Sequence, residues 1–172
     1  MSSGALSVSE LMNRKVQTDF EDQNIMSACN IMYPNDIGSV IIVTHNEDRI
    51  PVGIITERDI VHILGKLSPD LLNTPLRKLM SKPLVTIEES ASISEAIKLM
   101  NTKKIRRLVA VDKNNNMSGI LTQHDIFRAI EKNPDLFSEF YGEIFSSKFK
   151  EIHEKFNQYR LESLMPEFNQ YK

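Results

Sequence analysis

The sequence predicts a mixed α/β (α+β) protein in which two β-α-β-β-α units pack as one pseudo-twofold module, followed by a C-terminal amphipathic helix. An internal repeat is the main observation: residues 53–60 read GIITERDI, and residues 119–126, 66 positions further on, read GILTQHDI. Upstream the match continues 68 positions apart, with Leu11-Met12 answering Leu79-Met80. The two-residue difference falls in the polar stretch 44–49, where a hairpin loop tolerates a change of length. A duplication of this kind indicates a structural repeat.

Each unit is predicted to begin with a short helical lead-in, at 9–12 and again at 75–80, and to continue through a brief extended segment. The first long helix of each unit then carries apolar residues at three- and four-residue spacing. These residues are Ile25, Ala28, Cys29 and Met32 in the first copy and Ile93, Ala96, Ile97 and Met100 in the second. We predict that both faces lie in the core.

Two strands and a second helix complete each unit. The first strands are predicted at 39–43 and 108–111, and the strands that follow the polar turns close at 54–55 and 120–121. Because these strands are apolar without alternation, we expect both of their faces to be covered. The last helix of each unit is predicted to begin at Thr56 or Thr122, and Gly65 to end the first of these helices.

The two units are expected to depend on each other. A unit of about 60 residues buries only about 60% of its unfolded surface and is marginal alone. We therefore predict a first domain at 7–66 and a second at 75–132 that pack together, joined by a connector that contains Pro69.

From Asn133 onward the repeat has ended, and residues 134–165 are predicted to form a helical tail. Apolar and mostly aromatic side chains recur there every three or four residues and form one stripe. They are Phe137, Tyr141, Phe145, Phe149, Ile152, Phe156 and Tyr159. Two interpretations stay open: the stripe packs on its own module or on a second copy, or it docks on another protein.

The composition excludes several classes of function. The chain has 172 residues, 41% hydrophobic and 26% charged, which is typical of a soluble globular protein. A net charge of −2 gives no overall attraction to nucleic acid or to an anionic membrane surface, so neither is predicted as a partner. We find no apolar run of the roughly 18 residues that a membrane helix needs and no leader pattern, and we expect a cytoplasmic protein.

Catalytic and metal sites are not predicted either. Cys29 is the single cysteine, so the sequence has neither a disulfide framework nor cysteine metal-ligand spacing. None of the four histidines has a neighbouring serine or cysteine that would form a nucleophile pair. We therefore predict a protein that is not an enzyme, with no catalytic residues, no metal ligands and no required cofactor.

A threonine and an aspartate three residues apart stand at the same place in both copies, Thr56 with Asp59 and Thr122 with Asp125. One interpretation is a capping box, which contributes about 1 kcal/mol of helix stability and nothing else. The other is a ligand site, because a capped helix N-terminus suits phosphate and a carboxylate one turn in can accept hydrogen bonds from two ribose hydroxyls. Both copies keep the same set of residues: the threonine and the aspartate, a glycine before them, and a cation or potential cation directly before the aspartate. This repetition favours a nucleotide site.

On these motifs the chain resembles a tandem pair of cystathionine β-synthase (CBS) domains, a regulatory assembly called a Bateman module, over about residues 7–131. The motifs that carry the resemblance are PVGIITERDI at 51–60, MSGILTQHDI at 117–126 and the lead-ins that end in Met12 and Met80. The resemblance implies a stand-alone regulatory module whose clefts bind adenosine-containing ligands such as AMP, ADP, ATP or S-adenosylmethionine. Because many members dimerise, it also implies a homodimer.

The resemblance further implies that each cleft takes its threonine and aspartate from one copy and its base-binding segment from the other. One predicted cleft combines Thr122, His124 and Asp125 with Thr18, Ile37, Gly38 and Ser39. The other combines Thr56, Arg58 and Asp59 with Thr86, Ile105, Arg106 and Arg107. Since the arginines fall only in the second set, we predict that the Asp59 cleft binds phosphate more tightly. A solvated helix end is the alternative interpretation of the basic run at 103–107.

Together these expectations describe an adenine-nucleotide sensor, an energy-sensing regulatory protein that changes its dimer geometry or the position of its tail when ligand binds. The alternative is a ligand-independent dimerisation scaffold that presents the aromatic helix to a protein partner. The alternative predicts that partner binding survives replacement of Asp59 and Asp125.

Overall fold

The computed structural model describes residues 6–46, 50–66, 69–136 and 140. The helices and strands in this part of the chain are α1 (Val8–Leu11), β1 (Thr18–Phe20), α2 (Ile25–Asn35), β2 (Ser39–Val43), β3 (Pro51–Thr56), α3 (Glu57–Leu64), β4 (Thr86–Glu88), α4 (Ile93–Lys103), β5 (Arg107–Val111), β6 (Met117–Thr122) and α5 (Gln123–Lys132). Short 3-10 helices at Pro69–Asn73 and Leu76–Lys78 connect the repeats.

Each repeat forms its own three-stranded sheet. The strand orders are β1-β2-β3 and β4-β5-β6, with the first pair parallel and the second pair antiparallel in both sheets. The registers also correspond, since Thr18 lies opposite Ile41 as Thr86 lies opposite Val109. The predicted mixed α+β fold built from two equivalent units is therefore confirmed.

The first long helix of each repeat buries the predicted face. In α2, Ile25, Ala28 and Met32 are buried, whereas Cys29 is only partly buried. In α4 the corresponding face is buried throughout, at Ile93, Ala96, Ile97 and Met100. Both helices end in a left-handed residue, Asp36 and Lys104, which turns the chain into the following strand. The three- and four-residue spacing thus identified the core side of both helices.

The lead-in segments cross between the repeats. In sequence α1 begins the first unit, yet its Val8 lies in the core of the second repeat and donates its backbone N–H to Ala91 O at 2.8 Å. The second lead-in carries Leu76 and Met80, which lie in the core of the first repeat. The lead-in of each sequence unit therefore packs in the core of the other unit.

Two glycines make room for these crossings. A Cβ at Gly119 would stand 2.6 Å from Sδ of Met12, and a Cβ at Gly53 would meet Sδ of Met80. Just beyond each methionine the backbone pairs with a strand of the opposite repeat, through bridges between Asn13 and Ile120 and between Ser81 and Ile54. The repeated methionine of one lead-in and the repeated glycine of the opposite repeat are packing partners across the pseudo-twofold axis.

A third apolar cluster joins the two sheets. Ile41 and Val43 of β2 are buried with Val109 of β5. Side chains of the neighbouring strands β1, β3 and β6 pack around them. The predicted packing of the two units against each other is confirmed. Because both faces of β2 and β5 are covered, the burial also explains why these strands are apolar without alternation.

Most of the predicted helical tail, 134–165, lies outside the described residues. At its beginning Leu136 packs on the core of the second repeat, and Phe140 is buried in that core with 1% of its surface exposed. Phe140 does not belong to the stripe that the spacing predicted. The start of the tail therefore packs on its own module.

Candidate functional site

The helix α3 begins with the predicted capping box. The backbone N–H and the hydroxyl of Thr56 donate to Oδ2 of Asp59 at 2.9 and 2.7 Å, and Asp59 N–H donates to the threonine Oγ1 at 3.3 Å. Oδ1 of Asp59 accepts a hydrogen bond from the Ser81 hydroxyl at 3.3 Å. One carboxylate oxygen therefore caps the helix, and the other faces the region where the second lead-in crosses.

The second copy repeats this arrangement at the start of α5. Thr122 donates from its backbone N–H and its hydroxyl to Oδ2 of Asp125 at 2.8 and 2.6 Å. Within the described part of the chain, Oδ1 of Asp125 has no hydrogen-bond partner, and the carboxylate is partly exposed. A capping box and a ligand site are thus compatible, because the cap uses one oxygen and leaves the other for a donor.

Two cavities open beside these aspartates. The larger one, with a volume of about 570 Å³, contains Asp125 and is here called the Asp125 cleft. The smaller one, of about 360 Å³, contains Asp59 and is called the Asp59 cleft. Both volumes fall in the range of small-molecule sites, about 300 to 1,000 Å³.

Most of the predicted site residues line these two cavities. The Asp125 cleft is lined by Ile37, Gly38, Ser39, Thr122, His124 and Asp125 from the predicted set. The Asp59 cleft is lined by Thr56, Arg58, Asp59, Ile105, Arg106 and Arg107. Each cleft therefore draws residues from both repeats.

Thr18 and Thr86 are the exceptions. Each is the first residue of its strand, where its backbone pairs with β2 or β5, and neither lines the Asp59 cleft or the Asp125 cleft. The chain passes the clefts one or two residues earlier, at Val16-Gln17 and Leu84-Val85. The assignment of these two threonines to the clefts stays a prediction, because in this structure the cavity walls take the residues just before each strand.

The arginine pair at the start of β5 lines both cavities. Sequence reasoning gave Arg106 and Arg107 to the Asp59 cleft alone, but they also belong to the wall of the Asp125 cleft. Residues that the sequence did not indicate add further charge. The cations are Lys15, Arg106, Arg107 and Arg128 with carboxylates Asp36 and Asp125 in one cleft, and Arg58, Lys104, Arg106 and Arg107 with carboxylates Glu57 and Asp59 in the other. The expected charge difference between the clefts is therefore absent.

Arg107 lies over Gly38 beside Glu57. A Cβ on Gly38 would stand 2.6 Å from a terminal guanidinium nitrogen of Arg107 and 2.6 Å from Oε2 of Glu57. Burial lowers the pKa of the Arg107 guanidinium, an effect that the charges of Glu57 and Asp59 oppose and that of Arg106 reinforces. Because an arginine stays protonated in proteins, this side chain is a permanent positive charge between the clefts.

His124 and Arg128 form a pair on the rim of the Asp125 cleft. A terminal guanidinium nitrogen of Arg128 lies 3.0 Å from Nε2 of His124, and both residues are exposed. Because a guanidinium can only donate, Nε2 is the acceptor of this pair. The sequence analysis did not indicate Arg128, although its position four residues after His124 on one helix is a signal that could have identified it.

The described ranges contain neither a candidate metal site nor a candidate membrane-spanning helix. No group of three or more His, Cys, Asp or Glu side chains among those residues is placed to hold a metal ion. No helix there combines the length and the apolar character needed to cross a membrane.

Comparison with known proteins identifies relatives of the whole repeat region. The family model of the CBS domain matches residues 8–66 and 76–132. An uncharacterized protein of Methanopyrus kandleri is 40% identical over 124 residues, which are 72% of this chain and 62% of that protein. The chain spans 62%, 38% and 46% of the lengths of the first three curated relatives that it matches.

Solved structures show the same fold. A CBS domain protein from Pyrobaculum aerophilum, complexed with AMP, is 26% identical with a TM-score of 0.65, over 74% of this chain and 96% of that one. A CBS domain pair in complex with 5-methylthioadenosine and S-adenosyl-L-methionine is 25% identical with a TM-score of 0.64, over 72% of this chain and 98% of that one.

Proposed function

Because the chain belongs to the CBS domain family, we propose that it is a non-enzymatic regulatory protein that binds an adenine nucleotide in one or both clefts. One observation carries the proposal: each cleft combines a threonine-capped helix N-terminus, an aspartate in the first helical turn and four cations. These groups suit the phosphate and the ribose of one ligand. The family resemblance and the geometry thus support the same chemistry.

Each part of a nucleotide has a matching group in the clefts. Oδ1 of Asp125 can accept from ribose hydroxyls without loss of the helix cap, which uses Oδ2. The N-terminus of α5 and the neighbouring arginines favour a phosphate through the helix dipole and charge-assisted hydrogen bonds. Apolar residues of the opposite repeat, Val16 and Ile37, offer a surface for the flat base.

The solved relatives support an adenosine-containing ligand. One was obtained with AMP and another with 5-methylthioadenosine and S-adenosyl-L-methionine. We therefore propose AMP as the first ligand to test, with ADP, ATP and S-adenosylmethionine as the comparison. A regulatory ligand of this kind is not a cofactor. We further propose that the protein senses the energy state of the cell and acts in the cytoplasm.

Calorimetric titration of the full chain with these four ligands tests the proposal. We expect AMP to bind with micromolar affinity, and Asp59→Asn and Asp125→Asn each to remove one binding event. The matched control is Glu95→Gln: Glu95 closes the capping box of α4 with Ser92 but lines neither cleft. Glu95→Gln should keep both binding events. Heat from none of the four ligands would contradict the proposal.

A homodimer is the second part of the proposal. Val61 on α3 and Phe127 on α5 occupy equivalent positions of the two repeats, and 66% and 51% of their surfaces are exposed. Apolar side chains at matching places on two helices favour burial against a second copy. Sedimentation of a Val61→Ser/Phe127→Ser variant tests this: we expect a shift to monomer, with ligand binding intact in the Asp59 cleft.

The alternative is a ligand-independent scaffold that presents the aromatic tail to a protein partner. The burial of Phe140 in the second repeat favours instead a tail that begins on its own module. The helix α5 joins the Asp125 cleft to that tail, so a ligand that binds two tail positions with different affinity would bias them. Hydrogen exchange of Phe140 and its neighbours with and without AMP distinguishes the sensor, for which protection changes, from the scaffold, for which it does not.

A further inference from the structure

The arginine pair Arg106-Arg107 occurs in the second repeat but not at the equivalent positions of the first repeat. Arg106 precedes β5 and Arg107 is its first residue, and the equivalent positions at β2 are Gly38 and Ser39. Equivalent backbone bonds establish the correspondence, since Gln123 N–H donates to Arg106 O as Glu57 N–H donates to Gly38 O. Both clefts include Arg106, Arg107 and Gly38 in their walls. One copy of this charge therefore serves two cavities.

Position 38 needs a residue without a side chain because there is no room for one, and not because of its backbone conformation. No glycine in the described part of the chain has a positive φ, so the backbone at position 38 is open to other residues. The space is not open, because the Arg107 guanidinium and the Glu57 carboxylate both come within 2.6 Å of the place of a Cβ. The small residue in the first repeat thus accommodates the large residue of the second repeat.

The two sides of Arg107 differ in charge. Glu57, the first residue of α3, lines the Asp59 cleft, and its counterpart Gln123, the first residue of α5, lines the Asp125 cleft. The first residue of the helix is thus a carboxylate on the Asp59 side of Arg107 and an amide on the Asp125 side. A phosphate in either cleft carries more negative charge than the exposed carboxylate of Glu57 and is therefore the stronger partner.

We infer that Arg107 is a phosphate-binding residue shared by both clefts and that it makes the binding of phosphorylated ligands in the two clefts anticooperative. The inference rests on the proposed function and adds a coupling to it. A phosphate in the first cleft attracts the guanidinium, so a phosphate entering the second cleft finds less positive charge and a like charge nearby. An uncharged nucleoside makes no such demand on Arg107.

Titration of the full chain with AMP and, separately, with adenosine measures this coupling. We expect the second AMP to bind about fivefold more weakly than the first, whereas two adenosine molecules bind independently. Asp59→Asn and Asp125→Asn, which leave one cleft each, should both bind a single AMP with the affinity of the first site. Two independent AMP sites in the wild-type chain would overturn the inference and leave the proposed function intact.

Three charge-removing variants distinguish the shared arginine from arginines that serve one cleft. Arg58→Gln should weaken AMP only in the Asp59 cleft and Arg128→Gln only in the Asp125 cleft, because each residue lines that cleft alone. Arg107→Gln should lower the ratio of AMP to adenosine affinity about tenfold in both clefts, as the loss of a charge-assisted hydrogen bond does. An effect of Arg107→Gln confined to one cleft contradicts sharing.

Gly38→Ala supplies an independent variant that keeps every charge. Its methyl group must displace the ends of Arg107 and Glu57, so we expect a changed ratio between the first and second AMP affinities. Unchanged coupling in Gly38→Ala would count against the placement of Arg107 between the clefts. Binding of neither AMP nor adenosine to the wild-type chain would overturn the proposed function, and the inference with it.

Discussion

The two repeats agree in their backbone and differ where they face each other. The strand registers, the capping boxes of α3 and α5 and the apolar faces of α2 and α4 correspond almost residue for residue. Two differences lie at the shared region, Gly38 against Arg106 and Glu57 against Gln123. A third is a buried position of the first strand of each repeat, Asp19 against Ile87. After duplication, hydrogen-bonded pairing and core packing constrain both copies alike, whereas the residues between the copies are free to become complementary.

The largest effect should come from the crossed lead-in. Leu76 is fully buried in the core of the first repeat, although it precedes the second repeat in sequence. We expect Leu76→Ala to lower the free energy of unfolding by about 2–5 kcal/mol, measured by urea denaturation. Its counterpart Val8→Ala removes fewer atoms and should cost less. Hydrogen exchange should accelerate first in α2 and β2, and acceleration confined to α4 and β5 would disprove the crossing.

A comparison of two glycines should give the next largest effect. In Gly119→Ala the new methyl group meets buried Met12 and the Asn13 carbonyl, so we expect the free energy of unfolding to fall by about 1–3 kcal/mol. In Gly38→Ala the methyl group meets only the ends of two flexible charged side chains, and stability should change by less than about 1 kcal/mol. Equal losses in the two variants would show that position 38 packs as rigidly as position 119.

The buried aspartate of the first repeat should be a cost to stability. Asp19 is 7% exposed, and its Oδ1 accepts from Phe20 N–H at 2.8 Å. Its Oδ2 has no hydrogen-bond partner among the residues that the structure describes. Asp19→Ile copies the second repeat. We expect it to raise the free energy of unfolding by about 1 kcal/mol, since the gain from removing an unsatisfied buried oxygen exceeds the loss of one local hydrogen bond. Asp19→Asn is the control with the same shape, and a loss of stability in Asp19→Ile would reveal a partner for this carboxylate.

Local patterns were enough to predict the elements, because their causes are local. Apolar spacing identified the core faces of α2 and α4, and the threonine–aspartate spacing identified the caps at Thr56 and Thr122. The alignment of the two repeats, however, identifies equivalent residues but does not predict whether a residue packs on its own repeat or on the other one. The crossing of Val8 and Leu76 into opposite cores follows from the path of the connector in three dimensions.

The same reason explains the errors at the site. The sequence placed Arg106 and Arg107 in one cleft because it treated the clefts as separate, whereas the pseudo-twofold axis brings both cavities to one place. Thr18 and Thr86 were assigned by the family resemblance, and a shift of one or two residues along the chain decides which side chain reaches the cavity wall. Asn13 and Ser81, which do reach a cleft wall, follow the repeated methionines, so the repeat itself could have identified them.

The smallest effect that we expect is a difference between the first turns of α2 and α4 in their sensitivity to acid. In the second repeat Ser92 and Glu95 form a capping box, and hydrogen bonds from the Ser92 backbone and hydroxyl lower the pKa of Glu95 from its usual value of 4.5. In the first repeat Asn24 caps α2 without a carboxylate, because Ser27 stands at the equivalent position. Since the folded pKa lies below the unfolded one, the contribution of Glu95 is complete above about pH 4.5 and is lost as the pH falls through the folded value. We therefore expect α4 to lose protection in its first turn on acidification before α2 does, measured by hydrogen exchange between pH 6 and pH 3 on the scale of these carboxyl pKa values. Glu95→Gln should flatten this dependence, and an equal acid sensitivity of the two helices would mean that another carboxylate controls both.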